Sequence, residues 1–179
     1  KKAGYKTVFL TAGPGAWRQL NETLYYQGFD EVFDKETILN AYPEATIHTW
    51  GVDDEFMFKY ALDYLSEADE KGEKVMLFML SVTNHPPYRL PPHYKPMPLD
   101  VTSLGNSLAV EPEFGHSILE TYQYANNSLG VFLNELDSSG LLNKTIFAAT
   151  GDHQSRTIIT YPDHTELPLG FGVPALFYI

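Results

Sequence analysis

Asp152 and His153 form the sharpest chemical pair in the sequence, a carboxylate and an imidazole directly after the apolar run Thr145 to Thr150. A carboxylate oxygen and an imidazole nitrogen both ligate Zn²⁺ or Mn²⁺, and a strand end can aim both at one point. The alternative is an aspartate capping the next helix beside a surface histidine, and spacing alone leaves both open. Two ligands do not close a metal shell, so further donors must come from elsewhere in the fold or from outside these residues. His85 follows a second apolar run, Val75 to Val82, and precedes Pro86 and Pro87, which fix the backbone and limit where the imidazole points. With an ordinary pKa near ~6.5, it could donate a proton to a leaving oxygen or hydrogen-bond a phosphoryl oxygen. The plainer reading is a histidine satisfied by loop backbone. Arg18 carries the planar fork that grips phosphate or sulfate, and Trp17 beside it could wall off a polyol or a lipid glycerol. The competing picture buries Trp17 in the core and puts Arg18 on a solvated helix face.

Other groups carry less. Gly13-Pro14-Gly15 lacks the spacing of a dinucleotide fingerprint and the Lys-Ser/Thr ending of a P-loop, so nucleotide binding has no support. The acidic cluster in Trp50-Gly51-Val52-Asp53-Asp54-Glu55 reads as a turn and a helix start, where acids suit the dipole. His48, His93, His116 and His164 are scattered singly and read as structural or exposed, although His164 follows the Asp152-His153 loop and Arg156 could reach a substrate anion. The sequons at Asn21, Asn126 and Asn143 are short patterns with no function assigned.

Positioning such groups requires strands that stop at loops. Lys6 to Thr11, Val75 to Val82 and Thr145 to Thr150 are each followed by Gly, Asn, Asp or Pro, the mark of a buried strand ending in a loop. Helical patterns lie between them, at Ala16 to Gln27, Asp54 to Lys71 and about His116 to Ser139. In the second, Phe58, Leu62 and Leu65 share a face, Asp53 or Asp54 can cap the start, and Gly72 suits a left-handed C-cap. In the third, Ile118, Tyr122, Ala125, Leu129, Phe132 and Leu136 make the apolar stripe. Strands alternating with amphipathic helices predict an α/β fold, a mostly parallel sheet sandwiched by helices, with ligands bound outside the carboxyl ends of the strands. The segment 86–115 breaks the rhythm, with seven of the twelve prolines in thirty residues, and predicts a long Pro-rich loop.

Composition narrows the partners. At 179 residues and 44% hydrophobic, the chain suits one globular domain or one large piece of one. A net charge of -11 disfavours nucleic acid and broad capture of anionic lipid, because each phosphate contact needs a cation. Cysteine is absent, which excludes disulfides, thiolate catalysis and Cys-bound metal. No apolar run reaches the roughly 20 residues of a membrane span. The lysine-led start reads as the end of a helix feeding a strand rather than as a signal peptide, so the chain looks like an excerpt of a longer domain.

Taken together, the strand-ending elements Thr83-Asn84-His85-Pro86-Pro87-Tyr88 and Gly151-Asp152-His153 resemble the sulfatase-type branch of the alkaline phosphatase superfamily. Gly4-Tyr5-Lys6-Thr7, Trp17-Arg18 and Gly28-Phe29-Asp30 extend the likeness in order over nearly the whole chain. Within that branch the chain is most similar to the lipoteichoic acid synthases and the phosphoglycerol transferases of periplasmic glucans. The resemblance implies a partial alkaline phosphatase-like domain, residues 1–179, of a phosphoglycerol transferase in the extracytoplasmic bacterial cell envelope. Upstream transmembrane helices would tether it, a phosphatidylglycerol-type lipid would be the donor, and a glycan or lipid head group the acceptor.

By position, the resemblance makes Asp152 and His153 metal ligands, with Mn²⁺ first and Zn²⁺ or Mg²⁺ as substitutes. It sets His85 against the substrate phosphate and Trp17 with Arg18 around the glycerol phosphate. The family's nucleophilic threonine and its acidic metal ligand fall upstream of Lys6, so the 179 residues alone are expected to be inert. Two other readings compete: a sulfate or phosphate ester hydrolase on the same scaffold, and a non-catalytic binding domain with a degenerate site.

Overall fold

The first strand, β1 (Tyr5–Thr11), takes in the expected run Lys6 to Thr11 and begins one residue earlier, and every residue from Val8 through Gly13 is buried. The computed structural model describes residues 3–155, 158–161 and 163–178. After β1 come α1 (Leu20–Tyr26), β2 (Glu31–Phe33) and α2 (Lys35–Ala41), and then a small hairpin of β3 (Ile47–His48) and β4 (Gly51–Val52). Helix α3 (Asp54–Glu70) leads to β5 (Lys74–Leu80), and the long helix α4 (Pro112–Ser138) precedes β6 (Phe147–Thr150) and β7 (Ala175–Tyr178).

β2, β1 and β5 form a parallel sheet in that order, with Thr11 opposite Leu80 at the carboxyl end of the β1–β5 pair. This is an α/β fold. Alternation along β1 turns Leu10 toward a core that includes Ile38 from α2, Met57, Phe58 and Ala61 from α3, and Phe132 and Leu136 from α4. On the opposite face Phe9 stacks on Phe78 at 5.6 Å and meets Phe29 edge-on at 5.8 Å, while Met76 and Phe78 stay about half exposed. Helix cover is therefore fuller on the Leu10 face.

The third anticipated strand differs in its ladder. β6 pairs antiparallel with β7, Phe147 opposite Tyr178, and among the described residues it shares no ladder with β5. It joins the common core through Phe147, which packs in the same cluster as Leu136, Leu141 and Leu142.

Three helix details depart from the periodicity. The predicted helix over Ala16 to Gln27 opens instead as a 3₁₀ turn, Trp17–Gln19, because Arg18 and Gln19 take left-handed φ angles of 50° and 56° before α1 begins. Helix α3 follows its expected span, with Gly72 at φ 68°, but Asp53 and Asp54 do not cap it with their side chains. Helix α4 starts at Pro112, where a proline's fixed φ and missing N–H are tolerated, and it turns Tyr124 inward while Tyr122 is half exposed. Its buried stripe takes in the small polar Thr121 and Ser128, and Leu129 packs half-buried against the core as the pattern predicts.

The Pro-rich stretch 86–115 is a loop apart from a 3₁₀ turn at Val101–Ser107 and the first residues of α4. It is tied to α4: Tyr94 packs edge-on against Tyr124 at 5.1 Å, and Gln123 Oε1 accepts from Met97 N at 2.6 Å. Backbone bonds Ala109 N to Ile158 O and Thr160 N to Ser107 O join it to the chain beyond His153. No helix among the described residues is long and apolar enough to cross a membrane.

Candidate active site at the carboxyl ends of the strands

The loops after β1 and β5 meet because the parallel register carries past the strand ends: Ala12 N donates to Leu80 O at 3.3 Å. Gly13 lies within a methyl's reach of Val82 and of the Trp50 carbonyl. Asp34 fixes the turn that follows, accepting Gly15 N at 2.8 Å with one oxygen and capping α2 through Glu36 N with the other. A Cβ at Gly15 would stand 2.7 Å from that carboxylate and would have to displace it. Trp17 and Arg18 emerge from this turn into solvent, with the guanidinium 4.9 Å from the indole centroid. The reading that buries Trp17 in the core is thus overturned, since the indole is nearly half exposed.

Arg18, Gln19 and Tyr88 are the non-glycine residues with left-handed φ among those described. All three sit in the loops that carry Trp17-Arg18 and His85. Such backbone costs of order ~1–3 kcal/mol per residue and persists where neighbours over-determine it.

His85 is exposed, and its Nδ1 lies 3.1 Å from the Pro86 carbonyl. A carbonyl only accepts, so Nδ1 carries the proton and Nε2 is the nitrogen left to meet a ligand. The Trp50 indole packs tilted against the imidazole, centroids 4.0 Å apart, and its Nε1–H donates to the same Pro86 carbonyl. Behind the loop, fully buried Asp54 accepts Val82 N at 2.8 Å and Thr83 N at 3.2 Å. The Thr83 hydroxyl in return accepts Asp54 N at 3.0 Å, a cap supplied from a different segment. That bond and near-complete burial give the Thr83 hydroxyl a structural role.

Asp152 and His153 follow β6 as expected and are exposed. His153 Nδ1 faces the Gln154 carbonyl at 2.8 Å, leaving Nε2 3.7 Å from Asp152 Oδ2. A backbone carbonyl on the second ring nitrogen is the usual orientation device of a metal-bound histidine. With metal–ligand bonds of about 2.0–2.2 Å, two donors this close can share one cation. The donor set therefore fits a divalent ion, as part of a shell. Among the described residues no three His, Asp or Glu side chains cluster to hold one. Nor does any hydrogen bond or ion pair among the described residues link Asp152 or His153 with His85 or Arg18.

Of the single histidines, His48 locks the hairpin, Nε2–H to Val52 O at 3.2 Å and Nδ1 accepting Trp50 N at 3.3 Å; burial lowers its pKa, keeping it neutral. His93 pairs with Glu55 at 3.0 Å, and His164 lies exposed in a turn. Arg156 is outside the described residues.

A family model described as Sulfatase matches residues 1–178. The chain belongs to the sulfatase family. A lipoteichoic acid synthase of Staphylococcus saprophyticus is 29% identical over 153 residues, covering 86% of this chain and 22% of its own. Among solved structures, the lipoteichoic acid synthase LtaP of Listeria monocytogenes superposes with a TM-score of 0.79 at 21% identity, over 99% of this chain and 44% of that one. An alkaline phosphatase superfamily protein of Vibrio parahaemolyticus gives 0.74 at 21% identity, over 99% and 39%. The phosphoglycerol transferase GacH of Streptococcus pyogenes, solved with sn-glycerol-1-phosphate, gives 0.56 at 11% identity, over 98% and 43%. The alkaline phosphatase-like fold is thus established, and this sulfatase-family chain spans less than half the length of each of these relatives.

Asp34 as the anchor of Gly15, and Trp50 with Asp54 as neighbours of the His85 loop, emerge only from the structure. Asp34 had a signal, an Asp directly before a helix start. Trp50 and Asp54 had none, because the contacts join residues about thirty apart.

Proposed function

We propose that these residues form part of the active site of a metal-dependent phosphoglycerol transferase using phosphatidylglycerol-type donors at the extracytoplasmic face of the bacterial cell envelope. The observation that carries this reading is the shared rim: Trp17-Arg18 and His85 leave adjacent parallel strands at their carboxyl ends, where α/β sheets bind ligands. The relatives add weight, one named a lipoteichoic acid synthase and one a phosphoglycerol transferase holding sn-glycerol-1-phosphate.

In this reading Arg18 forks onto the donor phosphate and the exposed indole of Trp17 walls the glycerol. His85 presents Nε2 to a phosphoryl oxygen and, when protonated, can pass that proton to the leaving oxygen. Asp152 and His153 would hold a divalent cation, Mn²⁺ before Zn²⁺ or Mg²⁺. When bound, such an ion stabilises developing phosphoryl charge and lowers the pKa of an attacking hydroxyl. The threonine nucleophile and acidic ligand that the resemblance assigns upstream of β1 are outside these 179 residues. Membrane attachment through upstream helices and a glycan or lipid acceptor complete the proposal.

A second reading, hydrolysis of a sulfate or phosphate ester, is favoured by the family model's own description. The test is glycerol phosphate transfer from phosphatidylglycerol vesicles with Mn²⁺, using a chain that includes the upstream segment. His85→Ala and His153→Ala should each lower kcat/KM by at least ~10²-fold. Wild-type rates in both variants would contradict the site, and sulfate release from an aryl sulfate without glycerol phosphate transfer would favour the hydrolase.

A further inference from the structure

The segment from Trp50 to Asp54, read from sequence as no more than a turn and a helix start, touches the His85 loop from two sides. Its first residue packs against one side of the exposed imidazole: the Trp50 ring centroid is 4.0 Å from that of His85, the rings tilted by 53°, and Trp50 Nε1–H shares the Pro86 carbonyl with His85 Nδ1. Its last residue holds the backbone leading into the loop, Asp54 accepting from both Val82 N and Thr83 N. The segment is itself immobilised on the end of β1. Val52 N donates to Ala12 O at 3.0 Å, and Gly51, at φ 152°, lies so close to the Ala12 carbonyl that a Cβ would stand 1.9 Å from its oxygen. His48 closes the hairpin beneath Trp50. One short segment thereby ties the end of β1, which leads to Trp17 and Arg18, to the loop that carries His85.

We propose that Trp50 and Asp54 are positioning residues that together set the direction of the His85 imidazole, Trp50 by contact with the ring and Asp54 through the backbone of Val82 and Thr83. This deepens the transferase reading and rests on it for the catalytic consequence alone, because the positional claim stands on contacts within the chain. Neither residue needs to touch substrate. An exposed imidazole on a proline-flanked loop has rotamer freedom to lose, and a displacement of about 1 Å can cost ~10²-fold in rate.

The positional claim is tested on the 179-residue chain by heteronuclear NMR of the histidine rings, with His85 assigned by its loss in His85→Gln. Removing the indole's ring current in Trp50→Ala should shift the His85 ring signals more than those of His116 or His164, while Trp50→Phe, which keeps an aromatic face, should shift them less. Asp54→Ala, which removes the acceptor of both Val82 N and Thr83 N, should also move or broaden the His85 signals. If that variant fails to fold, Asp54→Glu, which keeps the carboxylate but displaces it from those two amides, should move them as well. His85 signals at their wild-type positions in Trp50→Ala, or in the folded Asp54 variant, would overturn the proposal.

The catalytic consequence is read with the upstream segment present, as a double-mutant cycle. Trp50→Ala should lower kcat/KM, and Trp50→Ala combined with His85→Gln should be no worse than His85→Gln alone; fully additive losses would overturn action through His85. Should His85→Gln itself cost nothing, the transferase reading of His85 falls, and the NMR shifts still decide whether Trp50 and Asp54 orient the ring.

Discussion

Asp54 is the residue whose chemistry departs furthest from its sequence-level reading. An acid near a helix N-terminus is ordinarily a solvated partner of the dipole. Here it is fully buried, and burial pushes its carboxyl from 3.8 up to about 6, against the Val82 and Thr83 donors that pull it down and with Asp53 adding to the rise. The folded state thus keeps this proton at pH values where the unfolded chain has released it. The resulting stabilisation is fully present below pH 3.8 and is lost as pH rises through 6, a change on the order of 3 kcal/mol. Urea midpoints measured across that window for wild type and Asp54→Asn should therefore differ in slope, the variant lacking this loss. Parallel curves would show that the Asp54 pKa is the same folded and unfolded.

Gly51 makes the tightest backbone approach among the described glycines, and its requirement is steric. A side chain there meets both an unfavourable φ of 152° and the Ala12 carbonyl. Gly51→Ala should destabilise by roughly 1–3 kcal/mol from the backbone conformation alone, with the clash adding to it. A melting temperature within error of wild type would mean that the hairpin does not press on β1.

At the scale of elements, α4 separates what periodicity can and cannot reveal. The spacing of Ile118, Phe132 and Leu136 predicts a buried stripe, and those three are buried. Tyr122 and Tyr124 are indistinguishable by residue type, and the choice between them is made by partners: Tyr94 from the Pro-rich loop packs on Tyr124, and the Tyr124 hydroxyl accepts Glu55 N at 3.3 Å. No local pattern encodes those contacts. Phe132, stacked on Phe58 at 5.2 Å, should cost roughly 3–5 kcal/mol when cut to Ala, whereas Tyr122→Ala should stay within about 0.5 kcal/mol. Chemical denaturation of the two variants checks this, and equal losses would place Tyr122 back in the stripe. The start of α1 escaped prediction for a related reason. Left-handed backbone at Arg18 and Gln19 follows the turn that Asp34 anchors at Gly15, and neither residue type announces it. β2 and α2 were too short to give a periodic signal.

For the whole molecule, the parallel pairing of β1 with β5 and the positions of His85, Asp152 and His153 after strands were legible, because buried strands leave continuous apolar runs with polar stops. The partner of β6 was not, since a four-residue strand fits a parallel or an antiparallel neighbour equally well. The solved relatives are longer than this chain by more than a factor of two, and the proposed function puts the nucleophile outside these 179 residues. We accordingly expect the purified 179 residues to show no phosphodiesterase activity above background with Mn²⁺ present. Turnover abolished by His153→Ala would place a nucleophile within the chain.

A common site requires the loops after β1, β5 and β6 to face one ligand. Paramagnetic broadening by Mn²⁺ reads this directly, because the ion relaxes nearby nuclei even when it binds weakly. Titrating Mn²⁺ into the chain should broaden the imidazole signals of both His153 and His85, and His153→Ala should abolish the broadening of His85. Broadening confined to His153 while His85 stays sharp would contradict a common site.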